Sequence, residues 1–205
     1  MKRLLVLACL VLISTGMKKR QPVEPTPQVT IAPSPKATPS PVPSGQVSNI
    51  GFRCTSSCTK EEAKRVAEAQ IVANQIVHTE CFSKFMSKVG LLDEDGEPFS
   101  AKEAIKDITT EVLTVPVHYY YSRANVVGYR NIGAPDIYFN RRYHDYYNAC
   151  DTASNAVHEW SHSLGYGHPF NPTSWRGRTI PYAINQAFDA CCSDSQGFRG
   201  VFEVK

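Results

Sequence analysis

No apolar run in this chain reaches the roughly 20 residues needed to span a bilayer. The longest, Leu4 to Ile13, stands behind Lys2 and Arg3 and ahead of Ser14-Thr15-Gly16. That order of basic, apolar and small residues marks a secretory signal peptide over residues 1–16. Two features complicate it: Lys18-Lys19-Arg20 follows at once, and Val6-Leu7-Ala8-Cys9 has a faint likeness to a bacterial lipoprotein signal. Cys9 comes very early for such a signal, so simple export is preferred, and membrane attachment would follow only from a lipid anchor at this end. A charge surplus is missing where a nucleic acid would need one. The formal net charge is +3, but residues 1–45 hold six of the 22 Lys and Arg and one of the 19 acids. The remainder is therefore near neutral, without the basic stripe of a nucleic-acid partner. Methionine is scarce, at positions 1, 17 and 86 only.

Proline, in contrast, is concentrated. Eight of the 14 prolines fall between Gln21 and Ser44, among serines and threonines. Proline fixes φ and removes a donor, so this segment builds neither a helix nor a ladder. Residues 17–45 are expected to be an extended, solvated linker that acts as a spacer. Residues 46–205 remain, enough for one domain with a real core. That domain carries Cys54, Cys58, Cys81, Cys150, Cys191 and Cys192. An even number in an exported chain points to up to three disulfides, with fifteen connectivities open. Cys191 and Cys192 are adjacent and are expected to tie to separate distant sites. A second metal site is the weaker reading, since Cys54 and Cys58 have no matching pair downstream.

Within the domain, Thr59 and Glu62 form a capping box ahead of a long helical stretch. Its apolar spacing is expected to carry the helix through Cys81, Phe82, Phe85 and Met86 to a stop at Gly90. His78 reads as a surface or cap histidine. Asp93-Glu94-Asp95-Gly96-Glu97 has a passing likeness to a calcium loop but lacks its spaced ligands, so a solvated turn is the better reading. Ser100 and Glu103 cap a helix from Ala101 to about Thr110. β-branched and aromatic residues then predict strands over Val115–Tyr121, Asn125–Arg130 and Asp136–Asn140, punctuated by Gly128, Gly133 and Pro135. The tyrosines at 119, 120, 121, 143, 146 and 147 fit a sheet half-buried against helices better than a binding surface. Asp151 or Thr152 is expected to open the next helix, with Trp160 in the core. A polar loop from Pro169 to Arg178 precedes another apolar helix, Tyr182–Cys192, started by Pro181.

The chemistry lies in His158-Glu159-Trp160-Ser161-His162-Ser163-Leu164-Gly165-Tyr166-Gly167-His168. On a helix, His158 and His162 share one face and can offer two imidazoles to one ion. Gly165 can end that helix in the left-handed conformation, letting His168 return to the same ion three residues later. Catalytic zinc takes three protein ligands and keeps one position for water, and Glu159 stands beside the first ligand, placed to take a proton. A bare H-E-x-x-H arises by chance in about one chain in a hundred of this length. The full H-E-x-x-H-x-x-G-x-x-H does so on the order of once in tens of thousands.

These eleven residues resemble the metzincin clan of zinc metallopeptidases, and the rest of the chain does so only loosely. The resemblance implies an α/β zincin domain: a twisted mixed sheet, a long helix, an active-site helix and a small C-terminal part, with a cleft between. It implies Zn2+ held by His158, His162 and His168, with Glu159 as general base in the hydrolysis of a peptide or protein. It further implies that an antiparallel edge strand, here Ile137-Tyr138-Phe139 or Val126-Val127, pairs with an extended substrate. The clan's methionine turn is missing, since no methionine follows Met86. Thr179-Ile180-Pro181-Tyr182-Ala183 stands at a plausible distance to replace it, and Tyr182 could offer a hydroxyl near the metal, as in some relatives. The family's cysteine latency finds no match around Cys54. The expected protein is thus an exported zinc endopeptidase, monomeric, in the periplasm, at the cell surface or secreted. The alternative is a non-catalytic binding domain stapled by zinc, whose fourth ligand would come from Cys191, Cys192, Asp189 or Tyr182.

Overall fold

A computed structural model of the chain describes residues 49–130 and 134–194. The expected signal peptide, Cys9, the proline-rich linker and Gly133 lie outside the described residues. The first element is a strand that the sequence reading did not anticipate, β1 (Ile50–Cys54). Its alternation is short and abuts the linker, but it buries Ile50 and Phe52 on one side and leaves Arg53 exposed. Helix α1 (Lys60–Val77) starts at the expected reciprocal box between Thr59 and Glu62. It does not continue to Gly90. The Thr79 hydroxyl donates to the Ile76 carbonyl at 2.7 Å and accepts from the Phe82 N–H at 3.1 Å, closing α1 and opening α2 (Glu80–Lys88). A threonine that caps on both sides overrides the continuous apolar spacing. Gly90, in the left-handed region at φ 66°, turns the chain beyond α2. Helix α3 (Ala101–Thr110) has the expected bounds, with the Ser100 hydroxyl accepting from the Glu103 N–H.

Strands β2 (Leu113–Tyr120), β3 (Gly128–Arg130) and β4 (Ile137–Asn140) follow, then the single turn α4 (Arg141–His144), α5 (Ala149–Ser161) and α6 (Ile180–Asp194). The sheet is mixed and open, in the order β1-β2-β4-β3, with β1, β2 and β4 parallel and β3 antiparallel to β4. One expectation about the edge is thereby settled against Ile137-Tyr138-Phe139, which lies inside the sheet. The antiparallel edge is β3, shorter than the predicted strand, and it follows Val126-Val127 directly. Asn140 fixes the approach to it: its carboxamide donates to the Ser122 and Val126 carbonyls, each at 3.0 Å, and accepts from the Ser122 N–H.

The sheet's period of two sends Val115, Val117 and Tyr119 to one face with Ile137 and Phe139. Helices α1 and α5 cover that face, and Trp160 is fully buried there, its indole N–H donating to the Leu113 carbonyl at 3.1 Å. Truncating such a side chain costs about 3–5 kcal/mol. Of the tyrosines, Tyr119 is core, whereas Tyr121 and Tyr146 are exposed. Helix α6 adds Ile180, Ala183, Ile184, Ala187 and Phe188 to the same core, so the chain after His168 shares the main core.

Two disulfides tie helices together, Cys81–Cys191 and Cys150–Cys192, and a third, Cys54–Cys58, closes the short loop between β1 and α1. Adjacent residues on a helix point about 100° apart. Cys191 therefore reaches α2 and Cys192 reaches α5, as their adjacency required. Cys54, being bonded to Cys58, is not available as a latency ligand. Several disulfides suit an oxidising, extracytoplasmic environment. No helix among the described residues is long and apolar enough to cross a membrane.

Candidate metal centre

Helix α5 begins earlier than the sequence reading placed it. Asn148 is the cap, its side chain accepting from the Asp151 N–H at 2.9 Å while the Asp151 carboxylate accepts from the Asn148 N–H. Asp151 thus serves the cap from inside the first turn. At the other end, His158 and Glu159 are both buried, at 5 % and 6 % exposure. The helix gives way to one tight turn over His162–Leu164, closed by Gly165 at φ 91°. The left-handed conformation expected of Gly165 is present. Beyond it Tyr166 is anchored, its hydroxyl donating to the Asp107 carboxylate at 2.7 Å and its ring set edge-on to Phe99. Gly167 lies against the exposed Glu94 side chain, whose carboxylate would have to move to admit a Cβ there. Gly165 and this anchored loop bring His168 back to the helix.

The result is one cluster. His158, His162 and His168 each offer a ring nitrogen, and the three atoms lie within 4.8 Å of one another. The rings are braced from behind. His162 Nδ1 lies 2.6 Å from the Tyr166 carbonyl, His168 Nδ1 lies 3.3 Å from the Pro169 carbonyl, and a ring N–H of His158 bonds the Pro181 carbonyl. A donor nitrogen held by a carbonyl leaves the other nitrogen of the same ring with a free lone pair, the arrangement that orients metal-binding histidines. His158 has a further neighbour, the Asn185 carboxamide, 3.1 Å from Nδ1 and itself bonded by the Ser154 hydroxyl at 3.1 Å.

Electrostatics keep these imidazoles neutral. Burial holds His158 well below the ordinary histidine value, with the neighbouring His162 and His168 acting in the same direction. Burial also lowers His162 and His168. Neutral imidazole is the form that binds metal. Three neutral nitrogens converging from one helix and one loop fit a borderline-soft cation such as zinc. The donor set offers no carboxylate or thiolate, so a hard cation fits poorly.

Glu159 Oε2 lies 3.9 Å from His162 Nε2. Burial raises its carboxyl to about 7, while the charge of Arg130 on the edge strand β3 pulls the other way. Tyr182, in the first turn of α6, sets its ring 5.0 Å from that of His158 and 4.9 Å from that of His168. Burial raises its phenol, which therefore keeps its proton at neutral pH. The stretch expected to replace the methionine turn does lie against the histidines, as the opening of a helix. Of the fourth ligands considered for a closed site, Cys191 and Cys192 are excluded by their disulfides. Asp189 does not join the cluster.

Asn185, Arg130 and Arg176 were not singled out in the sequence. Asn185 had a readable signal, three residues after Tyr182 and hence on the same helix face. Arg130 and Arg176 had none, because each reaches the histidines from a different segment. Comparison with models of known protein families, with curated proteins and with solved structures gave no match.

Proposed function

We propose that the protein is an exported, zinc-dependent endopeptidase. The observation that carries this reading is the convergence of three neutral histidines beside a buried glutamate that has no hydrogen-bond partner of its own among the described residues. His158, His162 and His168 would hold the ion. Zinc, when bound, supplies a Lewis acid that polarises a carbonyl and acidifies water. Glu159 takes a proton from the attacking water and returns it to the leaving amine. A carboxyl poised near 7 suits both transfers, because a general base and acid works best with a pKa near the operating pH. Arg130 keeps Glu159 from rising further, and Tyr182, still protonated, can donate to the developing oxyanion. The exposed edge of β3 supports main-chain pairing with an extended peptide beside the helix.

The rival reading, a zinc-stapled binding domain, needs a fourth protein ligand, and the described residues bring no further His, Cys, Asp or Glu into the cluster. Zinc content and cleavage of a mixed peptide library, compared between wild type and Glu159→Ala, separate the two. One zinc in each protein with cutting by the wild type alone is the expected result. Zinc in both without cutting by either would favour the staple, and zinc in neither would remove the basis of both readings.

A further inference from the structure

We infer that Arg176 makes this site selective for a substrate carboxylate, carried by an acidic side chain or a chain terminus; the inference rests on the peptidase reading for its peptide occupant. Four arginines of the described residues are half-buried: Arg65, Arg130, Arg141 and Arg176. Three of them have side-chain partners. Arg65 donates to the His144 carbonyl at 2.6 Å, Arg130 to the Ala134 carbonyl at 2.5 Å, and Arg141 to the Glu62 carboxylate at 2.7 Å. Arg176 has no side-chain hydrogen bond or ion pair among the described residues; its Nε, like that of Arg65, is buried without a partner, but Arg65 has bonds at its terminal nitrogens and Arg176 has none. Burial without a bond is confined to that one nitrogen; the two terminal nitrogens carry no protein partner among the described residues and are the ones a ligand can meet.

Its position points to that ligand. The Arg176 Cζ lies 4.7 Å from the centroid of the Tyr182 ring, and that ring touches both His158 and His168. The charge is thus held one aromatic ring away from the histidine cluster, whereas the charge of Arg130 is already engaged by Glu159 and Asp136. Stacking fixes the plane of the guanidinium and leaves its fork for a planar anion. A carboxylate matches that fork by two parallel charge-assisted bonds, whereas the amide of Gln or Asn does not. Charged hydrogen bonds of this kind correspond to about tenfold to hundredfold discrimination.

The test uses the whole chain in metal-free and zinc-loaded form. The probes are blocked alanine-based octapeptides in which one Glu is walked through the positions, each beside its Gln counterpart. One further probe lacks Glu and carries a free C-terminal carboxylate. Binding is followed by calorimetric titration with Glu159→Gln in the background, so that no peptide is consumed. At one position, Glu should bind at least tenfold tighter than Gln. Arg176→Gln should erase that preference, and Arg176→Lys should keep part of it, since charge survives without the fork. Preference for the free terminus instead would support the inference and assign the carboxylate to chain ends. Equal binding of Glu, Gln and free-terminus probes, or a preference that survives Arg176→Gln, would overturn it. Cleavage by the zinc-loaded wild type without acid preference would sink this inference and leave the peptidase. Arg176-dependent binding without any cleavage would do the reverse.

Discussion

Two buried glutamates in this fold are pushed in opposite directions. Glu62, at 2 % exposure, would also be raised by burial. Its bonds to Arg141, to the Thr59 N–H and to the Thr59 hydroxyl prevail and hold it below the ordinary value. Arg141 Nε reaches Oε1 at 2.7 Å and Nη2 reaches Oε2 at 3.2 Å, so the carboxylate is fully occupied. Glu159, at 6 % exposure, feels the charge of Arg130 but has no hydrogen bond among the described residues, and it rises to about 7. The same side chain is a structural anchor in one place and, on the proposed reading, a proton carrier in the other. Bonding and depth together separate them: both side chains are hidden from solvent, but Glu62 lies nearer the surface and is fully bonded, whereas Glu159 lies deeper and is not.

The contrast is sharpest in catalysis. Glu159→Gln should lower kcat/KM by about 10^2 to 10^4 while zinc stays bound, as read by peptide cleavage beside metal analysis. An equally active variant would break the assignment of Glu159 as base. Glu62→Ala, by comparison, should leave the buried end of the Arg141 pair uncompensated and cost about 3 kcal/mol in urea unfolding. The zinc content of the remaining folded protein should not change.

The two carboxylates should also respond oppositely to pH. Glu62 has a lowered folded pKa, so its contribution to stability is present above the unfolded value of 4.5 and is lost as pH falls through the folded value. Glu159 has a raised one, so its contribution is present below 4.5 and is lost as pH rises through about 7. Metal-free Glu159→Gln should therefore be more stable than wild type at pH 8, on the order of 2 kcal/mol, and no more stable at pH 4. Thermal unfolding of the two proteins across that range decides it. Smallest of all, Asn185→Ala should weaken zinc binding about tenfold by freeing the His158 ring, measured by competition with a chelator. Unchanged affinity would show that the Pro181 carbonyl suffices.

Much of the site was legible because it is local. Four residues along a helix, a glycine and a three-residue return place His158, His162 and His168 with no knowledge of the rest of the fold. The helix from Ala101 and the capping box at Thr59 were legible for the same reason. Errors arose where a local signal met a stronger local competitor. Thr79 split a helix whose apolar spacing ran on, and Asn148 opened α5 ahead of Asp151. The edge strand stayed open between two candidates because strand order depends on pairings between distant residues, which spacing does not encode.

The sequence by itself determined the ligand set, the neighbouring glutamate, the parity of the cysteines and the separate destinations of Cys191 and Cys192. Helical geometry and covalent adjacency require nothing more. Only the tertiary structure decided which glutamate is bonded and which is not, that β3 borders α5, that Asn185 and Tyr182 stand against the histidines, and that Arg176 lies over the Tyr182 ring. The contacts of Asn185 and Tyr182 follow from α6 folding back onto α5. Burial, and with it the shift of every titratable group at the site, is set by what a segment packs against.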